Sequence, residues 1–134
     1  MKLKLFLLVI IFSSCKVSLV PTRSQDAITA VQNAATATDN LYDDIIGSTE
    51  KDYASYATTY ESINKQITEI IILDSERKKA GVILIIAQDI QKRFQKYQNE
   101  HRQAGAINSS QARTYKDYMH ALFSSLLNAE NNFK

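Results

Sequence analysis

Few side chains in this sequence of 134 residues combine a reactive type with a suggestive spacing. His101 and His120 lie on separate elements, and Glu100-His101 lacks the second histidine of an HExxH zinc helix. A zinc site needs three or four ligands. The two read as surface histidines, with no metal and no cofactor expected. Asp39 and Asp43 share a helical face at i, i+4, with Asp44 beside them. Such a pair can take up a cation or face a basic surface, for instance Arg77-Lys78-Lys79. Alone, like charges at this spacing cost about 0.2–0.5 kcal/mol, and they sit unfavourably near a helix C-terminus. They read first as a solvated face. Tyr53, Tyr56 and Tyr60 form a stripe offering apolar area and hydroxyls, as binding surfaces do, though seam positions favour semi-buried packing. These six residues are the candidate partner-binding set. No Gly-x-Ser-x-Gly elbow, Ser-x-x-Lys pair or phosphate-cradling glycine loop is present. The chain reads as non-enzymatic.

The remaining chemistry is at the N-terminus. Lys2 and Lys4 precede an unbroken apolar run from Leu5 to Phe12, and Ser13-Ser14-Cys15 follow. A basic start, a short apolar segment and small residues make a secretory signal. The run of 8 residues is far short of the roughly 20 that span a bilayer. Ser13-Ser14-Cys15 resembles the lipobox of bacterial lipoproteins, with Phe12 where the family usually has Leu. The resemblance covers the first 15 residues. It implies cleavage before Cys15 and a lipid on its thiol, so the membrane is a partner through that lipid. Multiple acyl chains hold essentially permanently. Lys16 stands where some bacteria place the Asp of inner-membrane retention. The expected location is thus the cell envelope, at the outer membrane facing the periplasm. Cys15 is the only cysteine, so no intrachain disulfide can form.

Residues 1–14 are therefore expected as a signal peptide, 15–23 as a tether containing the only proline, Pro21, and 24–134 as one helical domain. The formal charge of +2 belongs to Lys2 and Lys4; the rest balances 14 basic against 14 acidic side chains. The balance is uneven. Residues 24–76 hold 10 acidic groups against Lys51 and Lys65, a net of −8, and residues 77–116 hold 9 basic groups against Asp89 and Glu100, a net of +7. Either an anionic partner or contact between the two halves accounts for this; contact is the preferred reading. The basic groups could meet envelope polyanions. Export argues against nucleic acid.

The positioning elements are all helical. A first helix spans about 24–46, capped by Ser24, with the stripe Ala27, Val31, Ala34, Thr38, Leu41 and Ile45 and Gly47 as its C′ residue. A second starts from Ser48 or Thr49, its stripe running Tyr53, Tyr56, Tyr60, Ile63, Ile67, Ile70, regular enough to resemble a coiled-coil seam. A third stripe is Ile83, Ile86, Ile90, Phe94, Tyr97. At 100° per residue these two stripes point roughly 160° apart. Either the chain breaks near 74–76 and closes an antiparallel four-helix bundle, or one helix over 49–103, about 54 residues and ~80 Å long, carries hairpins on both sides. The helix formers Glu76 to Ala80 tip the reading to the rod, whose open apolar faces would invite a homodimer. A last helix over about 109–131, capped by Asn108 or Ser109, buries Ala112, Tyr115, Met119, Leu122, Phe123 and Leu126. The fold class is all-α.

The functional expectation is a membrane-anchored envelope lipoprotein acting as a spacer or protein-interaction module on an envelope protein. The alternative is a periplasmic inhibitor or immunity-type lipoprotein that captures a toxin or hydrolase through the aspartate or tyrosine face.

Overall fold

Ser24 begins the first helix by accepting a hydrogen bond at its hydroxyl from the Ala27 N–H (3.1 Å), which satisfies one of the free donors of a helix start. In the computed structural model, which describes residues 24–133, α1 spans Gln25–Gly47, α2 Tyr53–Ser75, α3 Gly81–Ala104 and α4 Ser109–Asn132. The expected signal segment and tether, with Cys15, lie outside the described residues. No strand forms among the described residues; an isolated bridge pairs Asp52 with Ala106.

The helices run antiparallel in sequence, α1 packing on α2 and α4, and α3 on α2 and α4. This is the closed four-helix bundle. The single rod over 49–103 is overturned, since the chain leaves helical geometry between Ser75 and Gly81. Magnitudes give the reason. Tyr60, Ile63, Ile67 and Ile70 of α2 and Ile83, Ile90 and Phe94 of α3 are all at most 3 % exposed. Burying each contributes roughly 1.5–3 kcal/mol, whereas helix propensity differs by at most about 0.7 kcal/mol per ordinary residue. Stripes pointing to opposite sides of a rod cannot share a core. A reversal lets them, and it closes the faces that supplied the reason for a homodimer.

α1 buries Ala27, Ile28, Val31, Ala34, Thr38, Leu41, Tyr42 and Ile45, the expected stripe plus Ile28 and Tyr42. Ala27 and Ala34 of α1 and Ala112 of α4 are small buried side chains. On α3, Ala87 takes the buried slot and Ile86 is half-buried. On α4, Tyr115 and Leu122 are half-buried against the core.

The connections correct two expectations. Gly47 is the last residue of α1 and has no positive φ, so it is no left-handed C′ glycine. Ser48 closes α1, its N–H donating to Asp44 O (2.9 Å). Neither Ser48 nor Thr49 caps α2; Asp52 does, its carboxylate accepting from the Ser55 N–H (3.1 Å). The chain needs residues 48–52 to turn because Lys51 is folded back, donating to the carbonyls of Ile45 (2.6 Å), Ile46 (3.2 Å) and Ser48 (2.6 Å). α1 has no basic residue in its last turn, and this ammonium supplies the missing positive charge at the negative helix end. Gly105 is the C-cap of α3, at φ 77°. Asn108 caps α4 in a reciprocal box with Gln111.

Two left-handed positions are opposite in residue type. Gly105 has open space around a would-be Cβ, so Gly105→Ala meets only the backbone penalty and should lower stability by about 1 kcal/mol. Lys79, at φ 68°, carries that penalty already; Lys79→Gly should raise stability by about 0.5–1 kcal/mol. Urea denaturation of both variants checks the pair of signs.

Candidate functional site

An antiparallel bundle has two ends and four side faces, and the candidate residues divide among them. The start of α1, the α2–α3 turn and the end of α4 share one end, the one from which the chain leads back towards Cys15. The loops 48–52 and 105–108 share the other, about 35 Å away at 1.5 Å per helical residue.

The far end holds the aromatic group. Tyr60 is fully buried and belongs to the core, so the three tyrosines do not present one surface. Its ring lies 5.6 Å from Tyr53 in a stacked pair and 5.5 Å from Phe94. Tyr53 and Tyr56 remain half-buried. Tyr53 Oη accepts from Gln98 Nε2 (3.0 Å), and Tyr56 Oη donates to Glu50 O (3.2 Å). His101 sits among these rings, buried rather than on the surface. Nε2 contacts the Lys51 carbonyl (2.8 Å) and must donate, since a carbonyl only accepts; Nδ1 then accepts from the Tyr60 hydroxyl (3.1 Å). The imidazole thus joins α2, α3 and the 48–52 loop. Burial raises the Tyr60 phenol above its ordinary range. Tyr42, also buried, faces Tyr60 with no hydrogen-bond partner for its hydroxyl, and burial raises it well above the usual tyrosine value. Nearby, Tyr97 stacks on Tyr115 at 4.0 Å, and Tyr115 donates to Glu100 (2.7 Å). Burial and then Glu100 push Tyr115 up to about 12.

The aspartates lie on the α1–α4 face. Asp43 accepts from Lys116 Nζ (2.6 Å), and Asp39 from His120 Nδ1 (2.9 Å). Contact with Arg77-Lys78-Lys79 does not occur: that run is at the opposite end of the bundle, and α4 supplies the basic partners. Asp43 raises the Lys116 ammonium. Asp44 is exposed. These are partly exposed pairs, each contributing at most about 1 kcal/mol. A groove of about 220 Å³ beside them is lined by Val31, Thr36, Asp39, His120, Phe123 and Leu127 among others. Among the described residues no hydroxyl is hydrogen-bonded to His120 Nε2, and no group of three or more His, Cys, Asp or Glu side chains converges to hold a metal ion.

The near end holds a cluster that the periodicity reading missed. Arg77 Nη1 reaches Asp74 Oδ1 (2.8 Å), Glu130 Oε1 (2.8 Å) and Glu130 Oε2 (2.7 Å), with both acidic side chains 0 % exposed. The guanidinium carbon lies 4.5 Å from the centre of the Phe133 ring. Two buried carboxylates face one cation. Burial, then the adjacent Glu130 carboxyl, push Asp74 up to about 7 against the opposing pull of Arg77. Asp74 Oδ2, Arg77 Nε and Arg77 Nη2 have no hydrogen-bond partner. A signal for this cluster does exist in the sequence. Asp74 follows Ile70 by four residues, Glu130 follows Leu126 by four, and His101 follows Tyr97 by four. Each occupies the next slot of a buried stripe.

No helix among the described residues is long and apolar enough to cross a membrane. No protein-family model, curated protein or solved structure matches this chain.

Asp74 holds in the folded state a proton that the unfolded chain releases near its ordinary value of 3.8. Its stabilising contribution is therefore complete below about pH 4, declines as pH rises towards 7, and is absent above it. Asp74→Asn keeps a donor towards Glu130 without the charge. At pH 8 this variant should exceed the parent by on the order of 2 kcal/mol, with a flatter stability profile between pH 4 and 7, read from urea midpoints. Arg77→Met strands both carboxylates and should lose about 3–5 kcal/mol.

Proposed function

We propose that this protein is a lipid-anchored envelope protein whose helical bundle acts as a spacer and protein-contact module. The observation that carries the reading is the arrangement of the bundle relative to the anchor sequence. Ser13-Ser14-Cys15, resembling a lipobox, lies nine residues before Ser24. The helix that Ser24 caps starts at one end of a bundle about 35 Å long. A lipid on Cys15 would hang the bundle from that end and hold the far loops away from the bilayer. Those loops are braced from inside by His101, Lys51 and the Asp52–Ala106 bridge. A rigid far end is what a contact module requires, because an ordered surface loses little entropy on binding. Tyr53, Tyr56 and the exposed Asp44 lie towards that end. The alternative of toxin or hydrolase capture relied on continuous aspartate and tyrosine faces. Tyr60 is inside, and Asp39 and Asp43 already pair with α4, so the spacer reading has the stronger support.

Cys15→Ser tests the anchor in cells. The substitution should abolish metabolic labelling with a fatty acid and move the protein from the membrane to the soluble fraction. Retention on the membrane with unchanged processing would exclude lipidation. Crosslinking from Tyr56, at the far end, should trap an envelope protein on the anchored form; failure to trap any would count against the contact role.

A further inference from the structure

Four large apolar side chains stand exposed among the described residues, and three of them flank one turn: Ile72 (53 %), Val82 (72 %) and Ile85 (66 %). The fourth, Tyr118, is covered on one face by the Arg93 guanidinium at 4.8 Å. Val82 and Ile85 belong to the outward side of α3, off the stripe of Ile83, Ala87 and Ile90 that faces the core. Further along α3, away from the turn, exposed positions become charged at Asp89, Lys92 and Lys96. The outward side of α3 is thus apolar only where it meets the α2–α3 turn. Exposed apolar clusters rimmed by polar groups mark contact surfaces.

The exposed charge of the turn itself is basic, two lysines against Glu76. Lys78 and Lys79 are exposed within the turn. The adjacent Asp74 and Glu130 are buried and engaged by Arg77. Exposed acids near these side chains are Glu76 of the turn, Glu69 one helical turn from Ile72 and Asp89 one helical turn from Ile85, with Asp26 at the start of α1. The sequence leading to α1 adds Lys16 and Arg23 and no acidic residue. Antiparallel order places the turn at the same end as the start of α1. Residues 16–24 connect that end to Cys15 and span at most about 30 Å when extended. The bracket of Arg77 between Asp74, Glu130 and the Phe133 ring holds the turn in place.

We propose that the α2–α3 turn is a membrane-contact element, with Val82 and Ile85 entering the headgroup boundary of an anionic bilayer and Lys78 and Lys79 meeting lipid phosphates. The proposal rests on the anchor reading for its geometry. Attachment through a short tether makes the second contact intramolecular in effect, so a small patch with two lysines suffices to orient the bundle.

The absence of tryptophan from the chain gives a clean test. Val82→Trp places a single reporter in the turn, and Ala54→Trp places one in the exposed first turn of α2, at the far end. The chain from Cys15 onward is coupled through its one thiol to a maleimide lipid, in vesicles of brominated phosphatidylglycerol or brominated phosphatidylcholine. In phosphatidylglycerol vesicles the emission of Val82→Trp should shift to the blue and lose most of its intensity by quenching. The effect should be weaker in phosphatidylcholine and should revert when Lys78→Glu and Lys79→Glu are added. Ala54→Trp should be unaffected. Emission of Val82→Trp that matches the vesicle-free chain overturns the proposal. So does equal quenching of both reporters, which means the bundle lies flat. A blue shift without quenching also overturns it, because a second copy then covers the patch. The coupling is chemical, so its outcome is independent of whether cells lipidate Cys15, which Cys15→Ser decides separately.

Discussion

Burying the apolar stripes of α2 and α3 in one core requires the chain to reverse between Ser75 and Gly81, and the rest of the bundle depends on how that reversal is held. The segment has no proline and carries good helix formers, so local preference does not make the turn. Two things do. The core takes Tyr60 to Ile70 from one side and Ile83 to Phe94 from the other, which a straight helix cannot deliver. Arg77 then links Asp74, at the end of α2, to Glu130, at the end of α4. A single guanidinium thereby joins the turn to a helix that lies more than fifty residues later in the chain.

That bracket carries an internal cost. Two buried acids share one cation, and three of the cluster's polar atoms lack partners. Asp74 responds by retaining its proton to about 7. Breaking such a buried pair is costly while its net contribution to stability is small; here it ties the turn to the end of α4. The opposite end follows a different rule. His101, Tyr60 and Lys51 satisfy one another and the loop carbonyls, so the far loops are fixed by buried and half-buried hydrogen bonds. The two ends of the molecule therefore differ in character. One is ionic inside with apolar side chains and lysines outside; the other is aromatic and hydrogen-bonded.

The charge asymmetry of the sequence resolves along similar lines. Asp39 and Asp43 face His120 and Lys116 across α1 and α4. Between the acidic and basic stretches, Asp43 meets Lys116 across α1 and α4, and Asp74 meets Arg77 at the α2–α3 turn. The α1–α4 pairs are partly exposed and individually weak, so they tune the register of two helices already brought together by core packing.

The sequence alone determined the helical class, the four stripes and most of their buried members, the caps Ser24 and Asn108, and the left-handed Gly105. These follow from local rules: period, small polar caps and glycine's freedom at positive φ. It also shows a lipobox-like Cys15, outside the described residues. Tertiary structure decided where the long central segment breaks, since that choice compares burial of two distant stripes with a few tenths of a kcal/mol of local propensity. It also decided the fates of particular polar residues. His101 and Tyr60 went inside because their stripe slots face the core and each supplies the other's hydrogen bond. Asp52 displaced Ser48 as a cap because Lys51 had to fold back over the end of α1. Asp74, Arg77 and Glu130 met only because helices far apart in sequence finish at one end of the same bundle.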